Sequence, residues 1–158
     1  GGGDWTNDRI IPVLNKNIIK KKKFIIRSPK STRPWQHVFD LLSGYLILSK
    51  MIYKNNKMNG SWNFGPKQNH ISVEEVILEL IKILKIKKKI YIKSDKNIKE
   101  TGLLSLKTYK SEKYLKWKPK LLINDNLNIV AEWYECYMNN KKNIENFSKQ
   151  QVENYFYD

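Results

Sequence analysis

Residues that could build a metal centre or a disulfide are scarce in this chain of 158 residues. The single cysteine, Cys136, excludes an internal disulfide and fits a reducing compartment, so we expect a cytoplasmic protein. The two histidines, His37 and His70, stand far from Cys136 in the sequence, and no zinc-binding spacing occurs. No apolar run approaches the ~20 residues that a membrane-spanning helix needs, and no signal-peptide pattern opens the chain. We therefore expect neither a metal site nor a membrane partner.

Arginine and alanine are also rare. The chain has 27 lysines but 3 arginines, and 17 asparagines and 19 isoleucines but one alanine, with a net charge of +15. Lysine, asparagine and isoleucine share AT-rich codons, so a nucleotide bias of the genome explains the lysines without a partner. Arginine is the usual residue for bidentate contacts to phosphate and guanine, and few aromatic residues accompany the lysine runs. We expect no nucleic-acid partner.

Short apolar runs alternate with helical patterns, which predicts an α/β fold. Asp40 is expected to cap a helix that ends near Tyr53 and buries a wide apolar face. Ser72 and Glu75 form a capping-box pattern before apolar residues at helical spacing, which predicts a helix to about residue 85. Further helices are expected at 110–115, after Asn124-Asp125 and, frayed, from 143. The predicted strands are residues 24–26, 61–64, 89–92 and 103–106, and a short extended segment is expected at 36–38.

Several motifs follow one another in the order of a known family. They are Gly1-Gly2-Gly3-Asp4-Trp5, Asp8-Arg9-Ile10-Ile11-Pro12, Ile26-Arg27-Ser28-Pro29, Arg33-Pro34-Trp35-Gln36-His37-Val38, Trp62-Asn63-Phe64-Gly65-Pro66 and Leu115-Lys116-Trp117-Lys118-Pro119. Their order and spacing resemble the C-terminal part of CDP-glucose 4,6-dehydratases, which belong to the extended short-chain dehydrogenase/reductase family of NAD-dependent epimerases and dehydratases. Each motif alone is weak evidence for this family. The first and the fourth motif together are specific enough to indicate it.

The resemblance implies an α/β fold: the C-terminal, substrate-binding part of a Rossmann-type enzyme whose dinucleotide-binding domain is largely absent. Residues 1–158 would form one nucleotide-sugar-binding portion, with the helix at 40–54 packing on the missing Rossmann sheet and a tail at 143–158. No strand followed by Gly-x-x-Gly-x-x-Gly occurs, so NAD would be bound mainly by the missing domain. We therefore expect this chain alone to be inactive.

The catalytic Tyr-x-x-x-Lys pair of the family would also lie outside the chain. That pattern does occur here four times, but tyrosine and lysine are so common that one or two matches are expected by chance. We therefore predict no catalytic residue in this chain. The four matches are Tyr53/Lys57, Tyr109/Lys113, Tyr114/Lys118 and Tyr137/Lys141.

In the complete enzyme, the resemblance implies that NAD removes a hydride from C4 of the glucose ring of CDP-glucose. Water is then lost across C5 and C6, and the hydride returns to C6. The product would be CDP-4-keto-6-deoxyglucose, a precursor of O-antigen and other surface-polysaccharide sugars, made by a homo-oligomer. The alternatives are another nucleotide-sugar epimerase, dehydratase or decarboxylase of the same fold, a stand-alone basic nucleic-acid-binding module, or a decayed fragment.

The resemblance also implies substrate contacts, each with a structural alternative. Arg33 would bind the diphosphate rather than form a surface ion pair. Arg9 would contact the nucleotide rather than cap a helix, and Asn63 would bind the nucleotide rather than stabilise its turn. Trp35 and His37 are expected to be packed structural residues. The full set of implied substrate-binding residues is Arg33, Arg9, Ile10, Ile26, Arg27, Asn63, Glu100, Asp4 and Trp5.

The sequence departs from the family pattern near Glu100. Lys99 stands where relatives tend to have histidine, and Lys107 stands where they have an acidic residue. If these positions shape the ligand pocket, the preference for nucleotide or sugar changes with them. The alternative is that both lysines arose by drift in a genome whose codon bias favours lysine, without a change in the pocket.

Overall fold

Two clusters of apolar side chains organise the chain, which a computed structural model describes at residues 1–7, 9–20, 22–26, 28–54, 58–68, 70–87, 91–92 and 104–157. The described residues are mostly helical, with one parallel pair of short strands. The elements are α1 (Ile10–Ile19), β1 (Ile25–Ile26), α2 (Val38–Lys54), α3 (Val73–Ile83), β2 (Tyr91–Ile92), α4 (Tyr109–Leu115), α5 (Ile123–Asn139) and α6 (Ile144–Tyr157), with a 3-10 turn at Lys141–Asn143.

The start of α3 is set by the capping box that its sequence predicts. The Ser72 hydroxyl accepts the N–H of Glu75 at 3.2 Å, and the Glu75 carboxylate accepts the N–H of Ser72 at 2.8 Å. Two donors of the first turn are thereby satisfied, which fixes where the helix begins. The apolar residues that follow are buried, so the predicted helix and its buried face are confirmed.

The main apolar cluster joins α1, β1, α3 and α5. β1 pairs with β2 in parallel, with Ile25 opposite Tyr91 and Ile26 opposite Ile92, which confirms the described parts of two predicted strands. Residues 88–90 and 103 lie outside the described residues. The buried members of the cluster are Leu14, Phe24, Ile26, Val73, Ile77, Leu80 and Ala131.

The strand predicted at 61–64 is wrong, and so is the described part of the one at 103–106. Two carbonyl groups of this segment are bonded by side chains of α4 rather than by a neighbouring strand. Ser111 Oγ donates to the Asn63 carbonyl at 2.7 Å, and Lys110 Nζ donates to the Ser61 carbonyl at 2.9 Å. The segment lies beside a second apolar cluster of Phe64, Leu115 and Trp117, against which α2 packs.

Asp40 is not the predicted helix cap, because α2 begins two residues earlier, at Val38. The prediction of an extended segment at 36–38 is therefore wrong at Val38, which begins the helix. Asp40 is buried in the first turn and accepts two hydrogen bonds from distant residues, the Lys120 N–H at 2.9 Å and the Tyr155 hydroxyl at 2.6 Å. The carboxylate thus ties three segments together instead of ending a helix.

The last two helices differ from their predictions in where α5 begins and in the regularity of α6. α5 begins at Ile123, so the Asn124-Asp125 pair lies in its first turn, where Asp125 accepts the N–H of Leu122 at 3.0 Å. The tail expected to fray from 143 forms the regular helix α6. Tyr155, buried near the end of α6, anchors the helix on α2.

One side of α2 packs on the second cluster, while the other leaves apolar side chains exposed. Val38, Leu42, Tyr45 and Leu46 follow one another at helical spacing and are 39–63% exposed. The wide buried face predicted for this helix is therefore buried on one side only. A contiguous apolar stripe of this kind favours association with other apolar surfaces.

We predict that the chain binds an environment-sensitive hydrophobic dye through this stripe. The variant Leu46→Lys should lower dye fluorescence and delay thermal aggregation, because Leu46 is the most exposed leucine of the stripe, at 63%. Leu78→Lys is the matched control, since Leu78 is 50% exposed on a different helix, α3. Equal dye signals for the parent and the Leu46 variant, or a sharp monomeric melt of the parent without dye binding, would contradict the prediction.

A glycine inside α2 gives a second prediction. A Cβ added at the buried Gly44 would lie 2.6 Å from Cε1 of Phe64, which is itself packed edge-on against Trp117. Gly44→Ala should therefore lower the free energy of unfolding by about 1–2 kcal/mol, because overpacking outweighs the roughly 1 kcal/mol gain in helix propensity. Urea unfolding measures the loss, and adding Phe64→Leu to Gly44→Ala should recover part of it. A stabilised Gly44→Ala variant would refute the argument.

Candidate functional site

Three segments that are distant in the sequence meet at one cleft of about 510 Å³. They are the first residue of the chain, the segment 34–38 that leads into α2, and the segment 62–64 beside α4. These are parts of the first, fourth and fifth motifs of the sequence analysis. The lining residues are Gly1, Arg9, Pro34, Gln36, His37, Val38, Leu41, Tyr45, Trp62, Asn63, Phe64 and Leu106.

Arg9 supplies the cleft with a guanidinium group whose position depends on Asp4. The Arg9 side chain is 72% exposed, and its Nη1 donates to Asp4 Oδ2 at 3.0 Å. The other Asp4 oxygen accepts the Thr6 N–H and the Thr6 hydroxyl, at 3.0 and 2.9 Å. These Thr6 bonds, followed by the contact with Arg9, hold the pKa of Asp4 below its usual value. Asp4 therefore acts on the cleft by orienting Arg9, and it does not line the cleft itself.

The backbone around Asp4 is fixed from α5. Tyr134 Oη donates to the Asp4 carbonyl at 2.7 Å. Burial raises the pKa of Tyr134 to about 12, so its hydroxyl keeps its proton and remains a donor. Lys16 on α1 donates to the Trp5 carbonyl and to Asn7 Oδ1. The loop that carries Asp4 is thus bonded to two helices.

Asn63 lies on the wall of the cleft formed by segment 62–64. Its side-chain amide donates to the Lys107 carbonyl at 3.3 Å, while its own carbonyl accepts the bond from Ser111. The side chain is exposed, so a bound molecule can reach it. Lys107, the position where the family pattern is acidic, thus contacts a cleft residue through its backbone.

Arg33 does not line the cleft, although the next residue, Pro34, does. Its guanidinium Nη1 donates to the Thr32 carbonyl at 2.8 Å. Trp35 packs on the main apolar cluster and donates its ring N–H to the Ile71 carbonyl at 2.9 Å, as expected of a packed structural residue.

His37 forms a buried part of the cleft and is 2% exposed. Its Nδ1 accepts the N–H of Phe39 at 3.2 Å. Burial lowers the pKa of His37 to about 3. The ring is therefore neutral near pH 7, and the bond to Phe39 assigns its proton to Nε2.

The remaining predicted site residues lie elsewhere. Ile26 is fully buried in the main cluster and Ile10 packs against it, so neither side chain faces the cleft. Trp5 joins an aromatic group on α5, with its ring 5.3 Å from that of Tyr134 and 4.9 Å from that of Tyr137. Arg27 and Glu100, like Lys99, lie outside the described residues.

The apolar residues that line the cleft were not predicted from the sequence as parts of a site. Leu41 and Tyr45 lie one turn apart on α2, and Leu106 also lines the cleft. The sequence showed that this face of α2 is apolar and gave no signal for what lies against it.

The glycines at the start of the chain do not form a dinucleotide cradle. Gly3 has a φ of 77°, which fits a turn, and a Cβ added at Gly2 would lie 2.6 Å from Cδ1 of Trp133. A side chain at position 2 would therefore meet the indole ring that packs on Gly2. The glycines of a dinucleotide-binding turn face a pyrophosphate instead. The residues that the structure describes therefore offer, at these glycines, no turn that fits the pyrophosphate of NAD. They also hold no cluster of three metal-ligating side chains and no helix long and apolar enough to cross a membrane.

The buried neutral His37 predicts a pH dependence of stability. Because its pKa is lower in the folded chain than the ordinary 6.5, the unfolded chain binds a proton that the folded chain does not. Stability should therefore fall as the pH drops from 6.5 towards 3, by at most about 1.4 kcal/mol per pH unit from this group. Urea unfolding at pH 7.5, 6.5, 5.5 and 4.5 should show a shallower slope for His37→Gln, while the exposed His70→Asn control should keep the parental slope. Equal slopes for parent and His37→Gln would show that His37 is charged or exposed.

Comparison with known proteins gives one curated relative and several solved structures. No protein-family model matches the chain. A CDP-glucose 4,6-dehydratase from Salmonella typhimurium (strain LT2) is 29% identical over 157 residues, which is 98% of this chain and 44% of that relative. The chain thus spans less than half the length of the relative it matches.

The solved structures agree in fold. A dTDP-glucose 4,6-dehydratase from Bacillus anthracis, in complex with NAD, matches 91% of this chain and 44% of its own, with a TM-score of 0.70 and 21% identity. A UDP-glucuronic acid 4-epimerase from Bacillus cereus, in complex with UDP-glucuronic acid and NAD, matches 81% of this chain and 40% of its own, with a TM-score of 0.66 and 21% identity. The chain therefore has the fold of part of an extended short-chain dehydrogenase/reductase, and its resemblance to the CDP-glucose 4,6-dehydratases is confirmed over nearly its whole length.

Proposed function

We propose that the chain is the substrate-binding portion of an NAD-dependent dehydratase that converts CDP-glucose to CDP-4-keto-6-deoxyglucose. The observation that carries this proposal is the convergence of three motifs on one cleft. Residues 34–38 and 62–64 and the first glycine are separated in the sequence but line the same space. Such convergence is expected of segments that share a ligand. The codon bias that explains the many lysines does not explain it.

The chemistry of the cleft suits a nucleotide sugar. Arg9 provides a permanently charged donor group for a diphosphate, and a guanidinium can give two parallel bonds to phosphate oxygens. Leu41, Tyr45 and Phe64 provide apolar and aromatic surface for a ring. Arg33, one residue from the lining, is the second cation that we assign to the diphosphate.

The role that we propose for this portion is orientation. Holding the diphosphate fixes the sugar at a set distance from the reacting groups, and such positioning supplies several kcal/mol of a barrier reduction. No proton relay is assigned to the chain, because none of the tyrosines in the four Tyr-x-x-x-Lys matches lines the cleft. We assign NAD to the dinucleotide-binding domain of the complete enzyme, since the first glycines of this chain form no turn that fits its pyrophosphate.

A second candidate is an epimerase of the same fold that acts on another nucleotide sugar. The solved UDP-glucuronic acid 4-epimerase favours it, because its fold matches this chain almost as well as that of the dTDP-glucose dehydratase does. The 29% identity to a CDP-glucose 4,6-dehydratase, together with the motif order, supports the CDP-sugar instead.

The proposal predicts selective binding of CDP-glucose. Isothermal titration of the chain should give a lower Kd for CDP-glucose than for UDP-glucose or UDP-glucuronic acid. Arg9→Met and Arg33→Met should each raise the Kd about tenfold, because a charge-assisted hydrogen bond contributes about 1.5–3 kcal/mol. Lys142→Met is the matched control, since it removes the same charge from the exposed turn before α6.

The outcomes separate the candidates. A lower Kd for a UDP-sugar would replace the CDP-glucose assignment by the epimerase. An equal loss of affinity in the Arg9, Arg33 and Lys142 variants, with steep salt dependence and binding to DNA, would favour the basic binding module.

A further inference from the structure

We propose that Tyr155, near the end of α6, is a positioning residue that fixes the α2 wall of the cleft. The inference rests on the proposed function, because it takes this cleft to be the nucleotide-sugar site. Tyr155 does not line the cleft, so it would act through the first turn of α2. This gives the last helix of the chain a role at the site that none of the sequence motifs indicates.

The contact between α6 and α2 is a buried hydrogen bond. Tyr155 Oη donates to Asp40 Oδ1 at 2.6 Å, and the same oxygen accepts the Lys120 N–H at 2.9 Å. Asp40 is fully buried, and its Oδ2 has no hydrogen-bond partner within the described ranges. A buried carboxylate with so few donors depends strongly on each of them. Burial and the bond to Asp40 raise the pKa of Tyr155, which keeps this hydroxyl protonated as a donor.

Ser43, one turn further along α2, makes the contact rigid. Its Oγ lies 3.3 Å from Tyr155 Oη, donates to the Asp40 carbonyl at 2.7 Å and accepts the ring N–H of Trp117 at 3.0 Å. Lys120 Nζ also donates to the Tyr155 carbonyl at 3.0 Å. The end of α6 is thus bonded both to α2 and to the segment after α4.

A short series of contacts leads from Tyr155 to the cleft. The Tyr155 ring lies 5.4 Å from the ring of Phe39, and the Phe39 ring lies 4.3 Å from that of His37. The Phe39 N–H donates to His37 Nδ1. His37 and the adjacent Val38 line the cleft. If the Tyr155 hydroxyl is lost, Asp40 loses one of its two donors while the ring contact with Phe39 remains. The first turn of α2, which carries the cleft residue Val38, is then held less firmly.

The other end of α6 is attached independently of α2, which provides a control. Trp133 on α5 donates its ring N–H to Ser148 Oγ at 2.9 Å, and Gln151 Nε2 donates to the Ile129 carbonyl at 2.9 Å. Ser148→Ala should weaken the attachment of α6 without touching Asp40. Tyr157→Phe removes a hydroxyl from a side chain on the same helix that is 86% exposed.

The experiment uses the whole chain and two measurements. Amide hydrogen exchange by NMR reports on residues 39–41, where the Phe39 amide is itself bonded to His37. Titration with CDP-glucose reports on the cleft. We expect Tyr155→Phe to speed exchange at these amides about tenfold and to raise the Kd for CDP-glucose about threefold or more, whereas Ser148→Ala and Tyr157→Phe leave both unchanged.

Equal changes in Tyr155→Phe and Ser148→Ala at a matched loss of unfolding free energy would show a structural role alone and overturn the proposal. Unchanged exchange at residues 39–41 in Tyr155→Phe would overturn it as well. If the parent chain does not bind CDP-glucose, the proposed function fails, and the exchange result alone decides the positioning role. If Tyr155→Phe does not fold, Lys120→Met is the second test, because it removes the bond that holds the main chain of Tyr155 and keeps both donors of Asp40 present. Faster exchange at residues 39–41 in this variant would support the positioning role of Tyr155, and unchanged exchange would overturn it.

Discussion

The buried carboxylate of Asp40 is the interaction on which the arrangement of α2, α6 and the segment between α4 and α5 depends. A carboxylate taken out of water is costly unless hydrogen bonds replace its solvation. Here the replacements come from Lys120 and Tyr155, far along the chain. The first turn of α2 is therefore held in the folded chain by contacts from distant segments, and the cleft residues next to this turn depend on the same contacts.

The sequence predicted the helices and strands that are determined by residues close to them in the chain. The capping box of α3 and the apolar run of β1 lie within a few residues of the structure that they specify, and both were found. Asp40 was misread as a cap because its donors stand 80 and 115 residues away, which no local pattern shows. Segment 61–64 was misread for a related reason: its alternation resembles a strand, but Lys110 and Ser111 supply the bonds that a neighbouring strand would have supplied.

The residues of the candidate site were predictable where they belong to a motif that resembles the family. Arg9 and Asn63 were found by resemblance and lie in the cleft. Asp4 was expected beside a sugar, yet it holds Arg9 in place, because a carboxylate five residues from a guanidinium can satisfy that cation within one loop. The apolar walls at Leu41 and Tyr45 escaped prediction, since helical periodicity shows that a face is apolar and cannot show what covers it.

The exposed pair of Arg9 and Asp4 has a consequence for kinetics. Because the guanidinium lies at the surface and bonds Asp4 through Nη1, an approaching anion meets a cation whose charge a carboxylate already offsets in part. Charges at the rim of a site affect association and its dependence on salt more than they affect residence time. Ionic strength should therefore act mainly on the rate of capture, while the apolar walls set how long a captured molecule stays.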